Sequence, residues 1–94
     1  MSQDFNGVSE NEARHRYELV ENGLTAFADY RRQGDRVVIP HVEAPEALRG
    51  TGAAGRLMEG VVEHVRSLGL KIVPICPYAA AWLKRHPEHG DVLA

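Results

Sequence analysis

Residues 47–57 read ALRGTGAAGRL, which places Gly50, Gly52 and Gly55 between an extended stretch and a helical one. Glycines ahead of a helix let an anion approach backbone N–H groups closely, and the helix dipole favours negative charge at that end. The segment therefore predicts a phosphate-binding loop. Its surroundings decide which phosphate compound it binds.

Two common phosphate-binding motifs fit this segment poorly. A dinucleotide fingerprint needs an acidic residue after the next strand to bind the ribose hydroxyls, but that strand ends at Cys76 without one. A P-loop needs Lys and then Ser or Thr after the last glycine, but Arg56 and Leu57 stand there. The pattern Arg49-x-x-Gly-x-Ala54 requires only N–H groups that open a helix, and it fits.

Three other side chains are candidates for chemistry. Cys76 lies between a predicted strand and a helix that starts with proline, where the helix dipole favours a reactive thiolate; a small buried hydrophobe is the alternative. His41 lies on a strand predicted to run parallel to the one carrying Cys76, so it could accept a proton from the thiol. A half-buried histidine that donates a hydrogen bond is equally compatible. Tyr78 is a weaker candidate, as a proton donor.

The motif RHPEH at residues 85–89 contains His86 and His89. A metal site would need a second pair of ligands at a suitable spacing, and the sequence offers none. Cationic side chains near the negative end of a helix explain the motif, so we assign no metal.

Composition restricts the class of protein. The chain has 94 residues, 44% of them hydrophobic and 26% charged, which fits one small globular domain. No apolar run approaches the roughly 20 residues of a membrane span. The net charge of -2 disfavours nucleic acid as a partner. The polar N-terminus does not resemble a signal peptide, and the single cysteine excludes an internal disulfide, so we expect a cytoplasmic protein.

The hydrophobic pattern predicts a flexible leader over residues 1–12 and one domain over residues 13–94. Strands are predicted at 16–20 and 24–31 with an Asn-Gly turn between them, which makes a β-hairpin. A third strand follows at 36–44. Pro40 within it cannot donate to a sheet ladder, so we expect an edge, a bulge or a break in pairing there.

The second half of the chain predicts a helix over 53–68 that stops at Gly69, a strand over 70–76 and a helix over 77–86. A strand, helix and strand of this length require a right-handed crossover with parallel strands. The predicted fold class is therefore α+β (α/β): an antiparallel β-meander followed by a βαβα unit.

Arg/Gln-x-x-Gly-x-Gly/Ala after a β-strand resembles the acetyl-coenzyme A pyrophosphate loop of the GNAT N-acetyltransferase superfamily. The segments 11–19, 40–57 and 73–89 are similar to a short, single-domain GNAT-like group of predicted acetyltransferases. This resemblance implies a minimal GNAT-like fold whose last two strands are parallel and splayed, with an open crevice between them.

The resemblance also implies a binding site for acetyl-coenzyme A as cosubstrate. The pyrophosphate would be held by loop amides, with Arg49 opening the loop and with Val42 and Glu43 along the pantetheine arm. The residues that would supply these amides are Gly50, Thr51, Gly52, Ala53, Ala54 and Gly55. The alternative is that the glycines only build a tight turn and that Arg49 is solvated.

The chain departs from the family pattern in two respects. It lacks the early helical segment that usually forms part of the acceptor site, so the acceptor amine is unknown. The usual Asn and Tyr of the last strand and helix have no clear counterparts, because Cys76, Pro77 and Tyr78 occupy that stretch.

The resemblance implies acetyl transfer to an amine, directly or through Cys76. The alternative is a module of the same fold that binds coenzyme A or a protein without turnover.

Overall fold

The computed structural model describes residues 4–94, which form one six-stranded sheet and two α-helices. The strands lie in chain order; neighbours from β1 to β5 are antiparallel, and β5 and β6 are parallel. The elements are β1 (Asp4–Phe5), β2 (Val8–Asn11), β3 (Arg16–Glu21), β4 (Leu24–Gln33), β5 (Arg36–Glu43), α1 (Ala53–Ser67), β6 (Lys71–Pro74) and α2 (Pro77–Arg85).

The first hairpin lies within the stretch assigned from sequence to a leader. From Asp4 onward the structure instead places this stretch in the sheet, where β1 pairs with β2 and β2 pairs with β3; residues 1–3 lie outside the described part of the chain. The turn is Asn6-Gly7, whose φ angles of 56° and 83° suit the tight turn of a two-residue hairpin. Val8 is only 1% exposed, so its burial ties this hairpin to the core.

The predicted hairpin of the next two strands is confirmed. The β3–β4 turn is Asn22-Gly23, again with two positive φ angles. The register shifts between β4 and β5: Asp29 pairs with His41, whereas Arg31 pairs with Val38. Two β5 residues, Ile39 and Pro40, therefore stand opposite one residue of β4. The expected irregularity at Pro40 is a β-bulge.

The last two strands are parallel and then separate, as predicted. They pair from Arg36 with Lys71 to Ile39 with Pro74. The N–H groups of Ile75 and Cys76 both donate to the Ile39 carbonyl, and the chain then turns into α2. Beyond Ile39, β5 continues to Glu43 with only β4 as its partner. One edge of the end of β5 is therefore left open.

Both helices pack on the same face of the sheet. Alternate strand residues, including Ala26, Ala28 and Ile39, join α1 and α2 in one core. Helix α2 lies close beside α1. If Gly55 of α1 had a Cβ atom, that atom would lie 3.3 Å from Nε1 of Trp82 in α2. Within residues 4–94, no helix covers the opposite face. Neither helix described is long and apolar enough to cross a membrane.

Candidate functional site

A groove of about 620 Å³ follows the open edge of β5 and ends between the first turns of α1 and α2. It is lined by most of the residues that the sequence singled out for cofactor binding: Val42, Glu43, Arg49, Gly50, Gly52 and residues 53–55. His41 and Tyr78 line it as well, whereas Thr51 and Cys76 are not among its lining residues. The fold thus gathers most of the predicted site at one place.

The loop that enters α1 depends on two glycines in left-handed backbone conformations. Gly50 has a φ of 81° and Gly52, the residue preceding the helix, has a φ of 88°. Other residues adopt such angles only at an energetic cost. These two turns lead the chain from the end of β5 into the first turn of α1, whose N–H groups point out of the helix.

Three N–H groups at this helix start have no acceptor within residues 4–94: those of Gly52, Ala54 and Gly55. The first bond of the helix runs from the Arg56 N–H to the Gly52 carbonyl. Unpaired N–H groups at a helix N-terminus are a site for an anion. The residues that line the groove at this helix start are glycines and alanines, whose small size leaves room for an anion to approach.

Two members of the predicted donor set are used inside the loop instead. The Thr51 N–H donates to the Leu48 carbonyl at 3.2 Å, and the Thr51 hydroxyl donates to the same oxygen at 2.6 Å. The Ala53 N–H in turn donates to the Thr51 hydroxyl oxygen at 3.3 Å. These bonds argue against Thr51 and Ala53 as anion donors and assign them to shaping the loop.

Arg56 holds the loop in place, a role that the sequence analysis missed. Its Nε and Nη2 each donate to one carboxylate oxygen of Glu21 at 2.7 Å, and Nη1 donates to the Thr51 carbonyl at 3.1 Å. The Arg56 hydrogen bond holds the pKa of Glu21 below its ordinary value. Glu21 is 35 residues away in the chain, so no local spacing could have revealed this pair.

His41 lies where the groove meets the uncovered face of the sheet. Its side chain is half exposed, and Nε2 lies 3.0 Å from Glu43 Oε1. A carboxylate that bonds one ring nitrogen fixes the orientation of an imidazole. On the other side of the groove, burial raises the pKa of the Tyr78 hydroxyl, which keeps that group protonated and able to donate.

Cys76 takes the predicted position but not a position in the groove. It is the N-cap residue of α2, and its N–H donates to Ile39. Its side chain is buried, with 6% of the residue exposed. Within residues 4–94 no hydrogen bond joins His41 to Cys76; the side-chain hydrogen bond of His41 goes to Glu43. This burial favours the alternative of a small core residue.

His89 belongs to a surface cluster in which Glu59, Glu88 and His89 bring potential ligand atoms within 4.8 Å of one another. Arg66 Nη2 lies 3.1 Å from His89 Nδ1, and a guanidinium can only donate, so Nδ1 accepts. Nε2 then carries the proton and donates to Glu59 at 3.2 Å. Hydrogen bonds to Arg66 and Glu59 account for the contacts of His89.

The comparisons with known proteins agree with the fold and identify the family. A family model described as GCN5-related N-acetyl-transferase matches residues 16–92. The NMR solution structure of a GCN5-like protein from Staphylococcus aureus matches 98% of this chain and 91% of its own, with a TM-score of 0.74 and 26% identity. The search of curated proteins found no match. Because the family model covers most of the chain, the protein belongs to the GCN5-related N-acetyl-transferase family.

Proposed function

We propose that the protein binds acetyl-coenzyme A in the groove and transfers the acetyl group to an amine. One observation carries this proposal: the groove joins unpaired N–H groups at the start of α1 to His41 and Tyr78, along the open edge of β5. An anion site, an extended edge and two proton-transferring side chains are thus arranged in sequence along one surface.

The groove fits the parts of the cosubstrate in order. The N–H groups of Gly52, Ala54 and Gly55 would hold the diphosphate, and Arg49 adds a positive charge beside them. The amide-containing pantetheine arm would run along the open edge of β5 at Val42 and Glu43, where β6 has already ended. This order brings the acyl end towards His41 and Tyr78.

Direct transfer is the chemistry that these side chains support. Acetyl-coenzyme A supplies an acetyl group activated as a thioester. His41, oriented by Glu43, would accept the proton that the amine loses as its nitrogen forms the new bond to the acetyl carbon. Tyr78 would protonate the sulfur as the carbon–sulfur bond breaks. The burial of Cys76 supports this route over a thioester formed on the protein.

A second candidate is a module of the same fold that binds coenzyme A, or a protein, without turnover. The burial of Cys76 is compatible with this module as well as with direct transfer, because the thiol of Cys76 does not line the groove. The enzyme and the coenzyme A-binding form of the module both require the cosubstrate to bind. Only the enzyme requires His41 to act as a base.

Thermal unfolding with and without acetyl-coenzyme A tests the binding step. A ligand at 100 times its dissociation constant adds about 2.7 kcal/mol to the free energy of unfolding, which raises the melting temperature of a small domain by several degrees. An unchanged melting temperature at millimolar acetyl-coenzyme A would refute the enzyme and the coenzyme A-binding module, and would leave only the protein-binding module.

The substitution His41→Gln tests the chemical step. Binding of acetyl-coenzyme A should survive while the transfer rate to the best amine of a screened panel falls by about 10²–10⁴-fold. His15→Asn is the matched control, because His15 lies outside the groove and has a φ of 51°, which asparagine tolerates. Tight binding by the native protein with no turnover on any amine would favour the module.

A further inference from the structure

A second cavity, of about 580 Å³, lies at the other end of the sheet from the groove. It is lined by residues 30–33 at the end of β4 and by Glu10, Glu12 and His15. The end of β4 pairs with the start of β5, whereas the groove follows the end of β5. The two cavities have no lining residue in common.

The pairing of β4 with β3 ends beside this second cavity. Arg16 and Asp29 form the last pair of the ladder, and the Tyr30 N–H then donates to the His15 carbonyl at 2.9 Å. In a continued antiparallel ladder, the His15 N–H would donate back to the Tyr30 carbonyl. It donates instead to the Glu12 carbonyl at 3.2 Å. The Tyr30 carbonyl is therefore left on an open strand edge.

Arg32 continues the same open edge. Backbone groups of residues two apart in a strand point the same way, so the Arg32 N–H points away from β5, as the Tyr30 N–H does. It has no acceptor within residues 4–94. An unpaired carbonyl and an unpaired N–H thus stand side by side in the lining of the second cavity. One residue of a parallel strand bridges two such groups, because its nitrogen donates to the carbonyl and its own carbonyl accepts from the N–H.

Side chains of both charges surround this open edge. Glu12, Arg31 and Arg32 line the cavity, and none of them forms an ion pair within residues 4–94. Glu10 lines it as well and accepts a hydrogen bond from the buried Tyr30 hydroxyl. Burial and this hydrogen bond raise the pKa of Tyr30, so the hydroxyl stays protonated and holds the Glu10 carboxylate in place. The cavity therefore offers partners both to an ammonium group and to a carboxylate.

We propose that the second cavity binds a free α-amino acid. Its ammonium group would donate to the Tyr30 carbonyl and to the carboxylates of Glu10 and Glu12. Its carboxylate would accept from the N–H and the guanidinium of Arg32. An uncharged peptide would use the open edge but would gain nothing from the charged side chains. Because the cavity lies apart from the groove, this inference goes beyond the proposed function and does not rest on it.

NMR titration with two isomers, L-2-aminobutyrate and 4-aminobutyrate, tests the proposal. Both carry one ammonium group and one carboxylate, but only the first has the spacing that bridges neighbouring backbone groups. L-2-aminobutyrate should shift the amide signals of Tyr30 and Arg32 and bind at least roughly tenfold more tightly than its isomer. N-acetyl-L-alaninamide, which has peptide groups and no charge, should bind more weakly than either. Equal affinities for the two isomers, or tighter binding of the uncharged compound, would overturn the proposal.

Two variants test the charged partners separately. Arg32→Gln and Glu12→Gln should each weaken the binding of L-2-aminobutyrate about three- to fivefold, as the loss of an exposed charge pair does. Both side chains are exposed, so the melting temperature should change little. Arg36→Gln is the matched control, because Arg36 is an exposed arginine of the same hairpin that does not line the cavity. Unchanged affinity in both Arg32→Gln and Glu12→Gln would refute the site.

The same titration in the presence of acetyl-coenzyme A separates this proposal from the proposed function. The affinity for L-2-aminobutyrate should stay the same, because the two cavities have no lining residue in common. Shift changes centred on residues 52–55, with none at Tyr30 and Arg32, would place the amino acid in the groove and refute the second site. Failure of acetyl-coenzyme A to bind, with the shifts at Tyr30 and Arg32 retained, would refute the proposed function and support the amino acid site.

Discussion

Gly60 of α1 lies directly against Val8 of β2: a Cβ atom on Gly60 would stand 2.5 Å from the Val8 Cβ atom, closer than real side chains approach. The backbone carbonyl of Phe5 lies at the same place. Helix α1 can therefore rest on the first hairpin only because residue 60 has no side chain. This contact joins the most N-terminal described strands to the helix that begins at the groove.

The substitution Gly60→Ala should destabilise the protein. Alanine gains about 1 kcal/mol over glycine in helix propensity, but overpacking at a buried contact costs about 1–3 kcal/mol, and here backbone must move. The free energy of unfolding, measured with urea, should therefore fall. Gly90→Ala is the matched control, because a Cβ there meets nothing within 4 Å and should change stability little. An unchanged free energy in Gly60→Ala would mean that the hairpin is not packed on α1.

Asp91 should make stability depend on pH in acid. Hydrogen bonds from Arg66, 2.7 Å and 2.8 Å long, lower the pKa of Asp91 from 3.8 to about 2. Because the folded pKa is the lower one, this contribution to the free energy of unfolding is complete above pH 3.8 and is lost as the pH falls through about 2. Asp91→Asn should therefore be less stable than the native protein at neutral pH, and the difference should shrink towards zero as the pH falls to 2 and below.

Urea unfolding of both proteins across this range measures the effect, and a carboxyl titration followed by NMR gives the pKa itself. Asp35→Asn is the control, since Asp35 is well exposed and lies 3.4 Å from Arg36. The lowered pKa of Asp91 would be contradicted if the stability difference between Asp91→Asn and the native protein were as large near pH 2 as at neutral pH.

The sequence predicted the features that depend on local patterns. The hairpin at Asn22-Gly23, the irregularity at Pro40 and the α1–β6 crossover all follow from turn chemistry and periodicity. The strand at Val8–Asn11 was missed because its polar residues hide the alternation, although the Asn6-Gly7 pair was a usable signal.

Contacts between distant segments were beyond local reasoning. The ion pair between Glu21 and Arg56 joins residues that are 35 positions apart in the chain, and only the fold brings them together. Most of the residues that the resemblance named for the cofactor line one groove. The resemblance did not indicate that Thr51 would bond within the loop, nor that the Cys76 side chain would be buried beside it.

Cys76→Ala should leave acetyl transfer nearly unchanged. The thiol is buried and lies outside the lining of the groove, so the proposed direct route does not use it. Iodoacetamide should accordingly modify native Cys76 more slowly than free cysteine at neutral pH, because modification requires local opening. The intact mass of the protein incubated with acetyl-coenzyme A should show no thioester sensitive to hydroxylamine. A fast-reacting thiol, protected by the cosubstrate and needed for turnover, would instead establish Cys76 as the nucleophile.

Gly52→Asp should abolish cosubstrate binding while the domain stays folded. The new carboxylate would stand at the start of α1, where the unpaired N–H groups favour an anion, and would repel the diphosphate. A Cβ atom at this position would meet only the flexible end of Arg56, so the fold can accept the change.

The positive φ of 88° adds backbone strain, and Gly34→Asp controls for it, because Gly34 has a φ of 60° in a turn at the far end of the sheet. Both variants should lose about 1 kcal/mol of stability, and calorimetry should show at least a roughly tenfold weaker affinity for acetyl-coenzyme A in Gly52→Asp alone. Equal affinities in the two variants would mean that the loop only shapes the chain and that the diphosphate binds elsewhere.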